Sequence, residues 1–303
     1  MPIARWAFNI RQSLLLENVE PLVTSLTDGD DKREKIVPVS NLLNYLPKSE
    51  SDILLQIRLE DDMRRALIAR LMLYAFFTTY HKCLWGDLVF DNSESEKTVL
   101  VSPEHLVTVS FNISHHGDWV ILVGDTEAST NSPVLLGVDV MDFQEQQHSG
   151  ESFESFSSCF QDQFTPKEMT FMADASEASS PSCTESQLRR FYRLWCLKES
   201  IIKALDAPSN FDLKSFEFTI QDEEETEKPI HSTVIEVHEP KPDLPEEGWS
   251  FEEALLDEDH CYAIAAQSEE KTILDGTGIK RLDWGELLKD AVPFPVNSSS
   301  PPS

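Results

Sequence analysis

The stretch that most constrains the fold runs from Phe191 to Leu205 and contains neither Gly nor Pro. Its apolar residues recur at helical spacing, at Phe191, Leu194, Trp195, Ile201, Ile202 and Leu205. This spacing predicts an amphipathic helix with one buried face. Lys198 interrupts that face, and Glu199 and Lys203 lie four residues apart on its border. Taken alone, such a Glu–Lys pair is typical of an exposed helix surface and contributes only a few tenths of a kcal/mol.

A second constraint is the apolar run Val134-Leu-Leu-Gly-Val-Asp-Val140, which contains Asp139. A continuous apolar run of this length is typical of a buried strand. Burying an ionised carboxylate is costly unless a cation or several hydrogen-bond donors satisfy it. Two interpretations of Asp139 therefore stay open: a metal ligand, or an anchored buried hydrogen-bonding group.

The remaining pattern alternates between helix and strand. A long helical region with several arginines is predicted from about Ser49 to Tyr80, and a loop or hairpin is predicted around Lys97. Strands are predicted over residues 3–10, 106–113, 119–123, 216–220, 231–237 and 262–266. The segment Ser114-His115-His116-Gly117-Asp118 is predicted to be a polar connection between two strands, where ligand contacts concentrate. The pattern indicates an α+β fold of two halves that share a seam.

Charge and composition exclude some functions. The chain of 303 residues has a net charge of −29, which repels nucleic acid and anionic membranes. No apolar run approaches the length of a membrane span, the N-terminus lacks a secretory signal, and the five cysteines have no paired spacing. These observations predict a cytoplasmic protein that binds neither nucleic acid nor membranes.

Several polar segments are predicted to lie outside the core. Residues 222–227 and 243–259 are acidic and are interpreted as solvated loops. Residues 173–187 are rich in Ser and Glu, which indicates a mobile insertion. The Pro- and Ser-rich end from residue 293 to residue 303 is predicted to be disordered.

Three of these stretches together resemble the motifs of one enzyme family. Gly137-Val-Asp-Val-Met141, Trp195-Cys-Leu-Lys-Glu-Ser-Ile-Ile-Lys203 and Phe111-Asn-Ile-Ser-His-His-Gly-Asp118 resemble, in order and spacing, the motifs of Sfp-type 4′-phosphopantetheinyl transferases. Arg5-Trp-Ala-Phe8 and Leu256-Asp-Glu-Asp-His260 are similar to the eukaryotic aminoadipate-semialdehyde dehydrogenase type. The resemblance covers about residues 4 to 266.

The resemblance implies a fold and an activity. It implies two similar α+β subdomains related by a pseudo-twofold axis, at about residues 1–130 and 131–270, followed by an extension over residues 271–303. Coenzyme A and Mg²⁺ would bind in the cleft between them. The enzyme, expected to be a monomer, would move the phosphopantetheine arm of coenzyme A onto a serine of an apo acyl or peptidyl carrier domain and release 3′,5′-ADP.

The resemblance also implies roles for particular residues. Asp139 and Glu199 would hold the metal, Glu199 would accept the serine proton, and Lys203 would neutralise and protonate the leaving group. Ser114, His115, Lys97, Arg65 and Lys203 are the predicted contacts of coenzyme A. Met141 stands where bacterial members carry a second acid, so a further metal ligand is expected to come from elsewhere or to be water. His116, which stands where eukaryotic relatives have Gln, is predicted to face the metal.

Alternatives to the active transferase stay open. A catalytically idle module could keep the cleft only to bind coenzyme A or a carrier domain. A synthase dedicated to one carrier is a weaker alternative, because such enzymes are typically short. The carriers to be modified, in lysine biosynthesis, fatty-acid synthesis or nonribosomal peptide and polyketide synthesis, are not specified by the sequence. Carrier domains are often acidic, so a surface of net charge −29 should repel them outside a docking patch.

Overall fold

The structure is a computed structural model. It describes residues 2–12, 39–93, 97–127, 134–144, 152–173, 185–208, 210–220, 226–239, 241, 244–269, 274 and 277–295. None of the helices in these ranges combines the length and apolar character that a membrane crossing requires.

The helices are short apart from two. They are α1 (Val39–Leu42), α2 (Lys48–Leu54), α3 (Glu60–His81), α4 (Phe153–Ser158), α5 (Pro166–Ala173), α6 (Glu185–Leu205) and α7 (Trp284–Leu287). The strands are β1 (Ile3–Asn9), β2 (Val89–Asn92), β3 (Thr98–Ser102), β4 (Phe111–His116), β5 (Trp119–Asp125), β6 (Leu135–Asp142), β7 (Phe216–Thr219), β8 (Val234–Val237), β9 (Trp249–Leu255), β10 (His260–Gln267) and β11 (Lys280–Arg281).

Two sheets form the centre of the molecule, each with a long helix packed against it. The first sheet has the strand order β11-β1-β5-β4, and the second has the order β6-β10-β9. Helix α3 contacts β4 and β5, whereas α6 contacts β6 and β10. The predicted α+β fold of two subdomains is confirmed by this arrangement.

The two sheets pack against each other through a shared apolar cluster. Ile121 and Val123 of β5 meet Val138 and Val140 of β6 in this cluster, and all four are fully buried or nearly so. A direct hydrogen bond crosses the seam, because the Asn112 side chain accepts from the backbone nitrogen of Val138 at 3.0 Å. Strands β4 and β6, which carry two of the three family motifs, are therefore neighbours.

The helical region predicted from Ser49 to Tyr80 is divided into α2 and α3 by residues 55–59. The division has a physical cause at each side. Leu54 is buried and Ile57 packs against the same core, so the chain turns inwards here. Helix α3 then begins with Glu60, Asp61 and Asp62, whose charges favour a helix N-terminus.

The strand predicted over residues 106–113 is wrong in its position. Residues 104–106 form a 3₁₀ turn. The side chains of Leu106 and Val109 are buried although neither residue belongs to a strand. Strand β4 begins at Phe111 and includes Ser114, His115 and His116, so these residues belong to a strand and only Gly117 and Asp118 form the connection. Gly117 has a φ of +52°, a conformation that favours glycine.

The acidic segment 243–259 is not the solvated loop that its composition predicts, because it contains the buried strand β9. Glu252 and Glu253 are almost completely buried. Arg5 donates to Glu252 at 2.9 Å, and Arg193 binds Glu253 through two nitrogens at 2.5 and 3.0 Å. Pairing with arginine removes the cost that otherwise keeps carboxylates out of a core.

Two predictions concern chain segments at the edge of the described ranges. Of the insertion predicted over residues 173–187, residues 174–184 lie outside the described residues, whereas residues 185–187 are the first turn of α6. The predicted extension 271–303 contributes β11, which pairs with β1, and α7, whose Leu287 is buried in the core beneath α3. The end predicted to be disordered is described as far as residue 295, and residues 296–303 lie outside the described residues.

Candidate active site

The site forms where helix α6 crosses strand β6, and the contact depends on Gly137. A Cβ at this position would overlap the carbonyl oxygen of Ser200 and the backbone nitrogen of Ala204. The absence of a side chain therefore lets the α6 backbone lie directly on β6. Because of this close approach, residues of α6 reach Asp139, which lies two residues further along the strand.

Asp139, Lys203 and Ser114 form a hydrogen-bonded cluster from three separate elements. Lys203 Nζ lies 2.5 Å from Asp139 Oδ1 and donates to Ser114 Oγ at 2.8 Å. Ser114 Oγ in turn donates to Asp139 Oδ1 at 3.1 Å. Asp139 is 5% exposed, and its second oxygen, Oδ2, is buried without a hydrogen-bond partner among the described residues. One oxygen of Asp139 is thus anchored by hydrogen bonds, as one of the two interpretations predicts. The interpretation of Asp139 as a metal ligand stays a prediction.

Glu199 lies one turn before Lys203 on α6 and is only partly exposed. Burial, followed by the negative charge of Asp139, raises the pKa of Glu199, while Lys203 opposes the shift. The Glu–Lys pair that the sequence alone interprets as a surface pair therefore lies close to a second carboxylate, Asp139, and its Lys203 lines a cavity.

The two carboxylates fit a divalent cation. The buried Oδ2 of Asp139 lacks a hydrogen-bond partner among the described residues, and burial together with the nearby charge of Asp139 raises the pKa of Glu199. Oxygen donors of this kind suit Mg²⁺, whose shell is usually completed by water. No three His, Cys, Asp or Glu side chains converge as a metal cluster in the described part of the chain. The set of Asp139, Glu199 and His116 thus remains a prediction.

The two histidines of β4 differ in their surroundings. His116 Nδ1 accepts a hydrogen bond from the backbone nitrogen of Asp142 at 2.8 Å, and burial lowers the pKa of His116. His115 lines the cleft, and part of its ring reaches solvent. The protein atoms around His115, together with the charges of Arg65 and Lys203, lower its pKa as well. Both rings are therefore disposed to be neutral near pH 7.

Lys97 and Arg65 take different positions around the cleft. Lys97 Nζ donates to the backbone oxygen of Lys203 at 3.0 Å, which ties the β2–β3 hairpin to the end of α6. Burial lowers the pKa of Lys97. Arg65 pairs with Asp62 and donates to the backbone oxygen of Gly117 at 2.6 Å. Arg65 thus supports the turn after His116 and does not line the cavity.

A cavity of about 580 Å³ opens beside this cluster. Its polar side includes Ser114, His115, Lys97 and Lys203. Its opposite wall is formed mainly by apolar residues of α2 and α3, together with Arg70, whose Nε lies 3.6 Å from Glu50 Oε2. The Arg70 nitrogen Nη1 is buried without a hydrogen-bond partner among the described residues. The cavity therefore combines cationic groups and one acid, Asp206, with an apolar wall, which is typical of small-molecule sites.

Matches to two family models cover the parts of the chain that build this site. The model of the 4′-phosphopantetheinyl transferase N-terminal domain matches residues 37–127, and the model of the 4′-phosphopantetheinyl transferase superfamily matches residues 135–265. The chain belongs to the 4′-phosphopantetheinyl transferase superfamily.

Two phosphopantetheinyl transferases are similar to the chain over most of its length, and a third is similar over less than half of it. A phosphopantetheinyl transferase of Thraustochytrium sp. is 28% identical over 245 residues, which cover 80% of this chain and 76% of the relative. The L-aminoadipate-semialdehyde dehydrogenase-phosphopantetheinyl transferase of Homo sapiens is 26% identical over 251 residues, 77% of this chain and 74% of the relative. A 4′-phosphopantetheinyl transferase of Paxillus involutus is 30% identical over 144 residues, 46% of this chain and 52% of the relative.

Sequence reasoning about this transferase missed the role of Lys198. This residue is fully buried on the far side of α6 from the cleft, and its Nζ lies 3.0 Å from Glu168 Oε2. It also donates to the backbone oxygens of Leu213 and Phe216 at 2.8 and 3.2 Å. A signal for Glu168 was present, because Thr165 and Glu168 have the spacing of a capping box and form its reciprocal hydrogen bonds. Nothing in the sequence pairs Glu168 with Lys198.

The sequence distinguishes Leu256–His260 only through the family resemblance, whereas the structure shows that this segment supports the β4–β5 turn. His260 Nδ1 lies 2.8 Å from Asp257 Oδ1, and Trp119 Nε1 donates to Asp257 Oδ2 at 2.7 Å. The other ring nitrogen of His260 lies 3.2 Å from the backbone nitrogen of Asp118. The β9–β10 turn therefore holds the β4–β5 turn that follows the two histidines.

Proposed function

We propose that this transferase moves the phosphopantetheine arm of coenzyme A onto a serine hydroxyl of an apo acyl or peptidyl carrier domain. The single observation that carries the proposal is the Asp139–Lys203–Ser114 cluster, in which Lys203 and Ser114 line the 580 Å³ cavity. Glu199 lies close enough to this cluster for the charge of Asp139 to raise its pKa. Family membership supplies the reaction class, and this cluster supplies the groups that such a transfer needs.

In the transfer, a bond forms between the serine oxygen of the carrier and the phosphorus that bears the pantetheine arm. The bond between that phosphorus and the bridging oxygen of 3′,5′-ADP breaks. Glu199 takes the serine proton, because a carboxylate with a raised pKa is a competent base near neutral pH. Lys203 stabilises the charge that develops on the departing phosphate oxygen and can donate a proton to it.

Asp139 and Ser114 position Lys203 for this work. With hydrogen bonds to both side chains, the Lys203 ammonium group cannot swing away from the cleft without losing two partners. Asp139 and Glu199 would also hold Mg²⁺, with His116 or water as a further ligand. A bound Mg²⁺ would supply positive charge that offsets the charge of the coenzyme A pyrophosphate.

The proposed contacts of coenzyme A are Ser114, His115, Lys97, Lys203 and Arg65. Four of these line the cavity and support the assignment directly, whereas Arg65 acts at the turn after His116. The position of Arg70 in the cavity wall, with a buried nitrogen free of partners in the described ranges, makes it a further candidate for a phosphate contact.

The proposal extends to the biological setting. The similarity to the aminoadipate-semialdehyde dehydrogenase type supports a carrier domain in lysine biosynthesis as one substrate. Carriers of fatty-acid, nonribosomal peptide and polyketide synthesis are further candidates. Because the site is built from two halves of one chain, the enzyme is proposed to act as a monomer.

The test is the intact mass of a purified apo carrier domain after incubation with the protein, coenzyme A and Mg²⁺. We expect a gain of one phosphopantetheine unit, which is lost when Mg²⁺ is chelated. Unchanged mass across several carriers, together with retained binding of coenzyme A, would favour the idle binding module. A gain of mass that persists in the chelator would instead refute the metal requirement.

A further inference from the structure

The surface that borders the cavity contains an apolar patch, which we call the 53–59 patch and define as Ile53, Leu55, Arg58 and Leu59. The three apolar side chains are 63%, 62% and 67% exposed in the order of the chain. They lie within seven residues, at the end of α2 and in the connection to α3. Large apolar side chains exposed this closely together indicate a surface that a partner covers.

The charge within the patch differs from that of the protein as a whole. Arg58 is exposed and forms no ion pair with the described part of the chain. The complete chain carries a net charge of −29, so most of its surface repels an acidic partner. An unpaired arginine among apolar side chains is a combination that suits a partner with acidic and apolar residues on one face.

The patch is continuous with the proposed coenzyme A site. Ile53 belongs both to the patch and to the cavity wall, and Leu54 and Ile57 line the cavity from the same segment. Other exposed apolar side chains on this half of the molecule, including Leu84 and Val101, do not line the cavity. A macromolecule whose serine enters the cleft must touch the surface around the opening, and the 53–59 patch is part of that surface.

We propose that the 53–59 patch is a docking surface for the acceptor carrier domain and binds a face of that domain with acidic and apolar side chains. The inference rests on the proposed function, because it presumes that a carrier domain delivers the serine. It adds the surface used and the chemistry of the partner face. The apolar side chains supply affinity, and Arg58 supplies attraction that the rest of the surface opposes.

The experiment measures steady-state transfer to an apo carrier domain for wild type, Leu55→Ser/Leu59→Ser and Arg58→Glu. None of these residues lines the cavity, so we expect kcat and the KM for coenzyme A to remain unchanged. The KM for the carrier should rise about tenfold in the double variant, as expected for loss of apolar interface anchors. Arg58→Glu should raise it by a smaller factor that shrinks as salt is added.

The matched control is Leu84→Ser/Val101→Ser, which removes two exposed apolar side chains away from the cavity. Melting temperatures verify that all variants are folded. Docking at the patch is overturned if the patch variants keep the wild-type KM for the carrier, or if only the control variant raises it. It is also overturned if the patch variants merely dissociate a dimer while that KM stays constant, because a second copy would then cover the patch. If wild type transfers nothing, the proposed function itself fails, which is a separate result.

Discussion

Lys198 and Lys203 belong to the same helix, α6, but their surroundings are opposite. Lys198 is fully buried, and it contacts Glu168 and two backbone oxygens. Lys203 lies at the cleft beside Asp139, which keeps one buried oxygen without a partner in the described residues. A completed charge network holds a helix in place, whereas an incomplete one is prepared for a ligand. One face of α6 therefore serves the fold, and the other carries the residues that we propose for the reaction.

The largest expected effect is on turnover, at the Lys203–Asp139 network, where one carboxylate oxygen lacks a partner in the described residues. Glu199→Gln should lower kcat about a hundred- to ten-thousandfold in the carrier mass assay, because it removes the proposed proton acceptor. Full turnover in this variant would contradict the role assigned to Glu199.

The stability of the same variant provides its control. Because burial and Asp139 raise the pKa of Glu199, the folded protein binds this proton more tightly than the unfolded chain does. Stability therefore falls as the pH rises above the unfolded pKa of the carboxyl group, and Gln removes that cost. We expect Glu199→Gln to melt no lower than wild type at pH 7.5 without Mg²⁺, and a clearly lower melting temperature would mean that lost activity reflects unfolding.

In the buried Lys198–Glu168 pair, Lys198→Met should lower the free energy of unfolding by about 3–5 kcal/mol, because Glu168 is left as an unpaired buried charge. Denaturant titration measures the change. Adding Glu168→Gln should recover part of the loss. If Lys198→Met kept its stability yet lost turnover, Lys198 would belong to the chemistry and the contrast between the two lysines would be wrong.

Gly137 affects both the stability of the fold and the proposed site, because it determines how closely α6 approaches β6. Gly137→Ala should lower the free energy of unfolding by about 1–3 kcal/mol through overpacking, and should lower kcat by separating α6 from Asp139. Gly86→Ala is the matched control, because an added Cβ at that position meets nothing within 4 Å. Equal effects of the two substitutions would show that the close approach is not what matters.

The smallest effect concerns the metal. Millimolar Mg²⁺ should raise the melting temperature of wild type, by on the order of 2–4 °C for each kcal/mol of binding linkage. Asp139→Asn should abolish the rise, whereas Lys198→Met/Glu168→Gln should keep it. A rise that survives in Asp139→Asn would place the metal elsewhere.

Much of the candidate site could be predicted because its charged residues lie within or beside apolar patterns, where a charge is unusual. Asp139 interrupts an apolar run, and Glu199 and Lys203 share one side of a periodic helix. The position of strand β4 was harder to predict, because Val109, Phe111 and Ile113 alternate as strand residues do, yet Val109 is buried in the loop before the strand. Local patterns specify burial more directly than they specify backbone conformation.

The sequence by itself determined the α+β class, the order of the three motifs and the helix that carries Glu199 and Lys203. Only the tertiary structure decided that Glu252 and Glu253 are core residues, because their partners Arg5 and Arg193 are 247 and 60 residues away. The same holds for Lys198 with Glu168 and for Gly137 beneath α6. Whether a charge is costly or stabilising depends on the partner that folding brings to it, and distance along the chain does not indicate that partner.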